Sequence, residues 1–118
     1  MRRVWSSIFL IIIMLPGVGT AADFRLTSPT IKNKGTVGNE HVYNGFGCSG
    51  SNTSPELRWE RVPKGTKRLA VTVYDPDAPT GSGWWHWVIF NIPRDTTSLP
   101  AGAGKPDGGG APQGSIQS

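Results

Sequence analysis

Between Arg68 and Pro93 the sequence reads RLAVTVYDPDAPTGSGWWHWVIFNIP, two strand-like halves on either side of a turn built from Asp, Pro and Gly. In the first half Leu69, Val71 and Val73 alternate with Ala70, Thr72 and Tyr74, the period of two that a β-strand imposes. In the second half, Trp84 to Ile92 is nearly continuously apolar and rich in Trp, Val, Ile and Phe. That composition predicts a strand buried on both faces rather than a helix. Thr80-Gly81-Ser82-Gly83 permits a tight reversal, so the second strand returns beside the first. The expected class is mainly β.

The flanking sequence alternates short strand signals with turn signals. Phe24-Arg25-Leu26-Thr27 alternates apolar with polar and stops before Pro29, and His41 to Tyr43 reads as a second short strand. Asn44 to Pro55, rich in Gly, Ser, Asn and Thr, reads as a loop. Leu57-Arg58-Trp59 begins the next extended piece, and Val62-Pro63-Lys64-Gly65 is a turn with proline at its second position. Thr96 to Leu99 supplies a last short strand. From Pro100 to Ser118, nine of nineteen residues are Gly or Pro. Alone, such a segment buries too little apolar surface to offset its ordering entropy. It reads either as a flexible tail or as a long internal loop whose following strands are absent. The thin core of the preceding strands favours the loop.

Residues 1–22 have the character of a leader. Arg2 and Arg3 precede an unbroken apolar run of eight, Ile8 to Leu15, and Gly19-Thr20-Ala21-Ala22 offers a cleavage site after Ala21 or Ala22. Eight apolar residues are too few to span a bilayer, so the reading is a cleaved secretory signal rather than an anchor. It implies a periplasmic or secreted protein with no membrane span after cleavage. Without the leader, ten basic residues face eight acidic ones, a net charge of +2. That balance, with no Lys/Arg cluster, is no nucleic-acid footprint. The single cysteine, Cys48, keeps a free thiol, pairs between chains, or lacks its partner; Gly47-Cys48-Ser49-Gly50 carries no nucleophile signature.

The chemistry concentrates at the turn. Pro76 and Pro79 have fixed φ and push Asp75 and Ala78 towards extended conformations. In an extended segment Asp75 and Asp77 point the same way, and nearby donors are then needed to hold both ionised. His86 is one such donor, on a strand face shared with Trp84, Val88 and Phe90. A histidine oriented by a carboxylate on one ring nitrogen presents the other to an incoming group, which favours anions such as phosphate. Asp75 is then an orienting residue behind His86, and Asp77 with a tryptophan face suits an ammonium group on the same ligand. On pattern alone, His86 is also compatible with a satisfied core position, and Asp-Pro-Asp with a solvated turn. Three carboxylate and imidazole groups without a fourth make a weak metal signal, and no metal or cofactor is expected.

The string Tyr74-Asp75-Pro76-Asp77-Ala78-Pro79, followed by Gly-Ser-Gly-Trp-Trp-His-Trp-Val and Asn91-Ile92-Pro93, resembles the phosphatidylethanolamine-binding protein family. The likeness is to its bacterial branch, the Raf kinase inhibitor-like proteins. Phe24 to Pro29 is similar to that branch's opening strand, and Cys48 to Trp59 to its second conserved stretch. The resemblance implies a large antiparallel sheet, a smaller sheet, peripheral helices and a pocket for phosphate or phosphorylated head groups. Asp75, Asp77, Pro79 and His86 match that pocket by motif, with a cis bond at Ala78-Pro79 as a further expectation. The family's second signature, a Gly-x-x-His-Arg-Tyr-type string, normally follows the point where this chain stops. The domain division expected is therefore a signal at 1–22, an N-terminal part of the family domain at 23–99, and a truncated Gly/Pro-rich segment at 100–118. The functional expectation is an exported binding module for a phosphate-like anion or phospholipid head group, and not an enzyme. The alternatives are a hydrolase using Asp75, Asp77 and His86, and a modulator of a protein partner.

Overall fold

The computed structural model describes residues 23–118, and the leader expected at 1–22 lies outside the described residues. Among the described residues eight strands form, all paired antiparallel: β1 (Arg25–Thr27), β2 (Asn44–Gly45), β3 (Cys48–Ser49), β4 (Leu57–Glu60), β5 (Arg68–Asp75), β6 (Trp84–Pro93), β7 (Ser98–Leu99) and β8 (Ile116–Gln117). They make a large sheet in the order β5-β6-β8, a smaller one in the order β1-β4-β7, and a β2-β3 hairpin. The fold is mainly β, as the alternation predicts. Among the described residues the only helix is a single 3-10 turn, Asn39–His41, where peripheral helices are expected from the resemblance.

That turn replaces the strand expected at His41 to Tyr43. The His41 ring explains the difference. Its Nδ1–H donates to the Thr53 carbonyl at 2.7 Å, and its Nε2 lies 3.0 Å from the Thr30 hydroxyl. A side chain tied to two loops in this way holds the backbone by local bonds rather than by a ladder. The loop expected from Asn44 to Pro55 contains the short β2-β3 hairpin. The 63–66 turn closes from the Thr66 N–H to the Pro63 carbonyl at 3.2 Å, which places proline first rather than second. Gly65, at φ +88°, occupies the position that requires a left-handed residue.

The core lies between the two larger sheets. Leu57, Trp59 and Leu99 come from β4 and β7, Trp87, Ile89 and Ile92 from β6, and Ala103 from the C-terminal segment. Ile89 and Ile92 are three residues apart yet both fully buried, which a regular strand forbids. The register explains it: Leu69 pairs with Ile92 but Val71 pairs with Ile89, so β6 carries one extra residue there. Asn91, at φ +58°, takes up the bulge. Its side chain fixes the distortion, donating to the Gly114 carbonyl at 2.7 Å and accepting from Arg68 Nε at 3.1 Å. The strand is not buried on both faces as expected: Trp85 and Phe90 are exposed, and only the Trp87, Ile89, Ile92 side is covered.

Pro100–Ser118 is a run of turns docked on this core. Gly102 and Gly104 donate their N–H groups to the Ser54 carbonyl and hydroxyl at 2.9 and 2.8 Å. Gln117 accepts from the Trp87 indole N–H at 2.9 Å and donates to the carbonyls of Ala103 and Lys105. The segment gains its order from partners distant in sequence, which its own composition does not show.

Candidate functional site

The site sits at the turn end of the β5-β6 hairpin. Along most of β5 the pairing is regular, with Thr72 opposite Val88 and Val73 opposite Trp87. The next pair is Tyr74 with Trp85, so β6 spends two residues against one of β5. The extra residue is His86. A bulge leaves its residue outside the ladder and re-aims the side chain, and here the ring turns to Asp75. His86 Nε2 lies 3.4 Å from Asp75 Oδ2, with both side chains about half-exposed. That separation is long for a hydrogen bond and suits an exposed ion-pair contact.

The bulge also corrects the expected grouping of side chains. Partners across an antiparallel pair share a face. Trp84 pairs with Asp75, which is in phase with Val73 and Val71, whereas Val88 pairs with Thr72 on the opposite face. Trp84, His86, Val88 and Phe90 therefore do not line one face. Tyr74 and Trp85 instead stack on the outer face, with ring centroids 4.5 Å apart.

Asp75 is anchored by its own turn. Its Oδ1 accepts the Asp77 N–H at 2.9 Å, the side-chain-to-backbone bond typical of aspartate in turns. That N–H, and next the His86 hydrogen bond, hold the Asp75 carboxyl below its ordinary value, with desolvation opposing them. Asp77 thus enters the site through its backbone. The segment is not extended as expected: Pro76 and Asp77 lie in a turn, so strand alternation does not set the directions of the two carboxylates. Pro79 is exposed in the following turn, where the Thr80 N–H reaches the Ala78 carbonyl at 2.7 Å. No cis peptide bond occurs among the described residues, so the Ala78-Pro79 bond is trans and the expected cis bond is not found.

The reversal is closed by a residue that sequence reasoning did not select. The Tyr74 hydroxyl donates to the Ser82 carbonyl at 2.7 Å, and Thr80 Oγ1 donates to the Gly83 carbonyl. Gly83 has φ +76°, and a Cβ there would run into the Tyr74 hydroxyl. The available signal was a tyrosine immediately before Asp-Pro-Asp, spaced to face the Gly-Ser-Gly it latches.

Two broad concavities, one against Trp59, Arg61 and Arg94 and the other against Leu26, Ile31 and Leu57, contain neither Asp75 nor His86. Both side chains of the Asp75–His86 pair reach the surface. Among the described residues no group of three or more His, Cys, Asp or Glu is placed to hold a metal ion, and no helix is long and apolar enough to cross a membrane. Cys48 is exposed and unpaired among the described residues.

Comparison with known proteins gives one answer. The sequence profile described as phosphatidylethanolamine-binding protein matches residues 27–118. The Escherichia coli proteins YbcL and YbhB, both of the UPF0098 group, are 58% and 52% identical over 82% and 71% of this chain. The crystal structure of E. coli YbcL, described as a new member of the mammalian PEBP family, superposes with a TM-score of 0.78 at 57% identity, over 80% of this chain and 58% of that one. CT736 of Chlamydia trachomatis, described as a homolog of the same family, gives a TM-score of 0.59 at 28% identity, over 68% of this chain and 52% of that one. The chain spans about half the length of the curated relatives, 53% of YbcL and 56% of YbhB. On profile, sequence and fold together, the chain belongs to the phosphatidylethanolamine-binding protein family.

Proposed function

We propose that the protein is an exported binding module that takes a phosphate-like anion, free or as a phosphorylated head group, at His86. The observation that carries this reading is the His86 bulge. It turns Nε2 to Asp75 at 3.4 Å and leaves Nδ1 for an incoming acceptor. Asp75, held ionised by the Asp77 N–H, orients the ring from behind without touching the anion. Asp77 and Pro79 shape the turn beside it, and the Asp77 carboxylate is the group that would take an ammonium on the same ligand. Family membership supports a ligand-binding role, and the apolar run with small residues at 1–22 supports export. The contact His86 makes among the described residues is to the Asp75 carboxylate, which supports an imidazole oriented for binding.

The test is titration of the protein with phosphorylethanolamine while the imidazole C–H resonances are followed by NMR. The expected result is a saturable shift of the His86 resonances that His86→Ala removes, with the His41 signals unmoved. Unchanged spectra at millimolar ligand would overturn the reading. Turnover of a phosphodiester that Asp75→Asn abolishes would replace binding with catalysis.

A further inference from the structure

Beside the outer strand of the β1-β4-β7 sheet, a groove of about 810 Å³ runs along β1. Its apolar wall is Phe24, Leu26, Ile31 and Leu57, and its charged residues are Arg25, Lys32 and Lys34. Among the described residues no carboxylate lines it. Lys32 and Lys34 are set beside the groove by a turn in which the Gly35 N–H bonds to the Lys32 carbonyl at 2.8 Å. Neither lysine makes an ion pair among the described residues, and Arg25 makes a loose one with Glu60 at 3.9 Å. Phe24 and Leu26 are each about half-exposed.

The strand beside the groove is also incomplete. Among the described residues β1 is the outer strand of its sheet, bonded to β4 alone. In an antiparallel pair, alternate residues direct both N–H and C=O away from the partner. Backbone groups of β1 on its open side make no backbone bond among the described residues. An open strand edge accepts an extended peptide through main-chain bonds, with alternate side chains entering flanking pockets.

We infer that this groove is a docking site for an extended acidic peptide segment of a partner protein, in which carboxylates alternate with small apolar residues. The apolar residues settle against Leu26, Ile31 and Leu57, the carboxylates face Arg25, Lys32 and Lys34, and the backbone pairs with β1. The three-residue length of β1 limits the main-chain contribution, so the like-signed charges select the partner. The groove excludes basic partners by the same charges.

The probe is the capped peptide Glu-Val-Asp-Val-Glu-Val, with Lys-Val-Lys-Val-Lys-Val as its charge-reversed control. Amide hydrogen exchange and methyl NMR are read on the full chain. The expected result is at least tenfold slower exchange at the open-side amides of Arg25–Thr27, with shifts of the Leu26 and Ile31 methyls. Lys32→Glu with Lys34→Glu should weaken acidic-peptide binding at least tenfold and leave the His86 response to phosphorylethanolamine intact. Unchanged β1 exchange at millimolar peptide, or equal binding of both peptides, overturns the inference. So does dodecanoate shifting the same methyls while the peptide protects no amide, which would make the groove an amphiphile site. Amides of β1 already protected without peptide, in a monomer or a dimer, would assign the edge to the chain itself or to a second copy.

Discussion

His86 Nε2 meets Asp75 Oδ2 across eleven residues of sequence because β6 carries its extra residue at His86. The contact depends on the bulge, and the bulge depends on the hairpin reversal. Asp75→Asn separates these dependencies. Asparagine keeps an Oδ1 to accept the Asp77 N–H, so the turn survives, but the charge behind the imidazole is gone. The fold should be retained, and the affinity for phosphorylethanolamine should fall roughly two- to fivefold, the effect of an exposed ion pair. Titration by NMR checks it; an unchanged affinity would show that Asp75 serves the turn alone.

The pH dependence has a fixed sign. The folded Asp75 carboxyl lies below its ordinary value of 3.8, chiefly through the Asp77 N–H and then through His86. Its stabilising contribution is therefore complete above the ordinary value and is lost as pH falls through the folded one. A carboxyl-carbon NMR titration should place the Asp75 midpoint below 3.8. His86→Ala should raise it only in part, since the larger cause is the backbone N–H. A midpoint at or above the ordinary value would remove the Asx bond from the account.

Gly83→Ala should damage the reversal. At φ +76° an added Cβ is strained in itself, and it would also lie 2.7 Å from the Asp75 carbonyl oxygen. The expected cost is about 1–3 kcal/mol in urea unfolding. Tyr74→Phe, which removes the bond to the Ser82 carbonyl without a clash, should cost about 0.5–1.5 kcal/mol. Equal effects of the two would point to a latch that does not depend on the glycine.

The second bulge makes its own prediction. Ile89 and Ile92 are both fully buried, while Phe90 between them is 45% exposed. Ile89→Ala and Ile92→Ala should each cost about 2–5 kcal/mol, and Phe90→Ala about 1 kcal/mol or less. In a strand without the bulge, one of the two isoleucines would face solvent and its replacement would be nearly silent.

The strands that dominate the fold were legible because their cause is local. Leu69, Val71 and Val73 alternate, and β6 is apolar and bounded by turn residues. The Asp75–His86 pairing was legible for the same reason, since Gly-Ser-Gly returns one strand to the other. The bulges were not. An extra residue at His86 or Asn91 arises from how two strands settle into register, and no residue type announces it; asparagine's tolerance of positive φ is the only hint. The missed register is why Trp84 and Val88 were expected on one face. His41 misled in a different way, as a β-compatible neighbourhood whose ring nitrogens are committed to Thr30 and Thr53.

Pro100–Ser118 shows most clearly where composition stops informing, and it can be tested at one residue. Gln117 receives the Trp87 indole N–H and returns two bonds to the Ala103 and Lys105 carbonyls. It therefore ties β8, the turn run and the core into one unit. Gln117→Ala leaves the Trp87 N–H without its acceptor in a largely buried position, which should cost about 1–3 kcal/mol. The loss should be local before it is global. Amide hydrogen exchange at Gly102 and Gly104, whose N–H groups bond to Ser54, should accelerate at least tenfold under native conditions, with exchange of the Trp59 amide in β4 little changed. Ile116→Ser, at an exposed neighbouring position, should leave the exchange rates near those of the parent chain. Rapid exchange at Gly102 and Gly104 already in the parent chain would mean that the Gln117 bonds do not hold the segment, and that its glycine and proline content decides its behaviour after all.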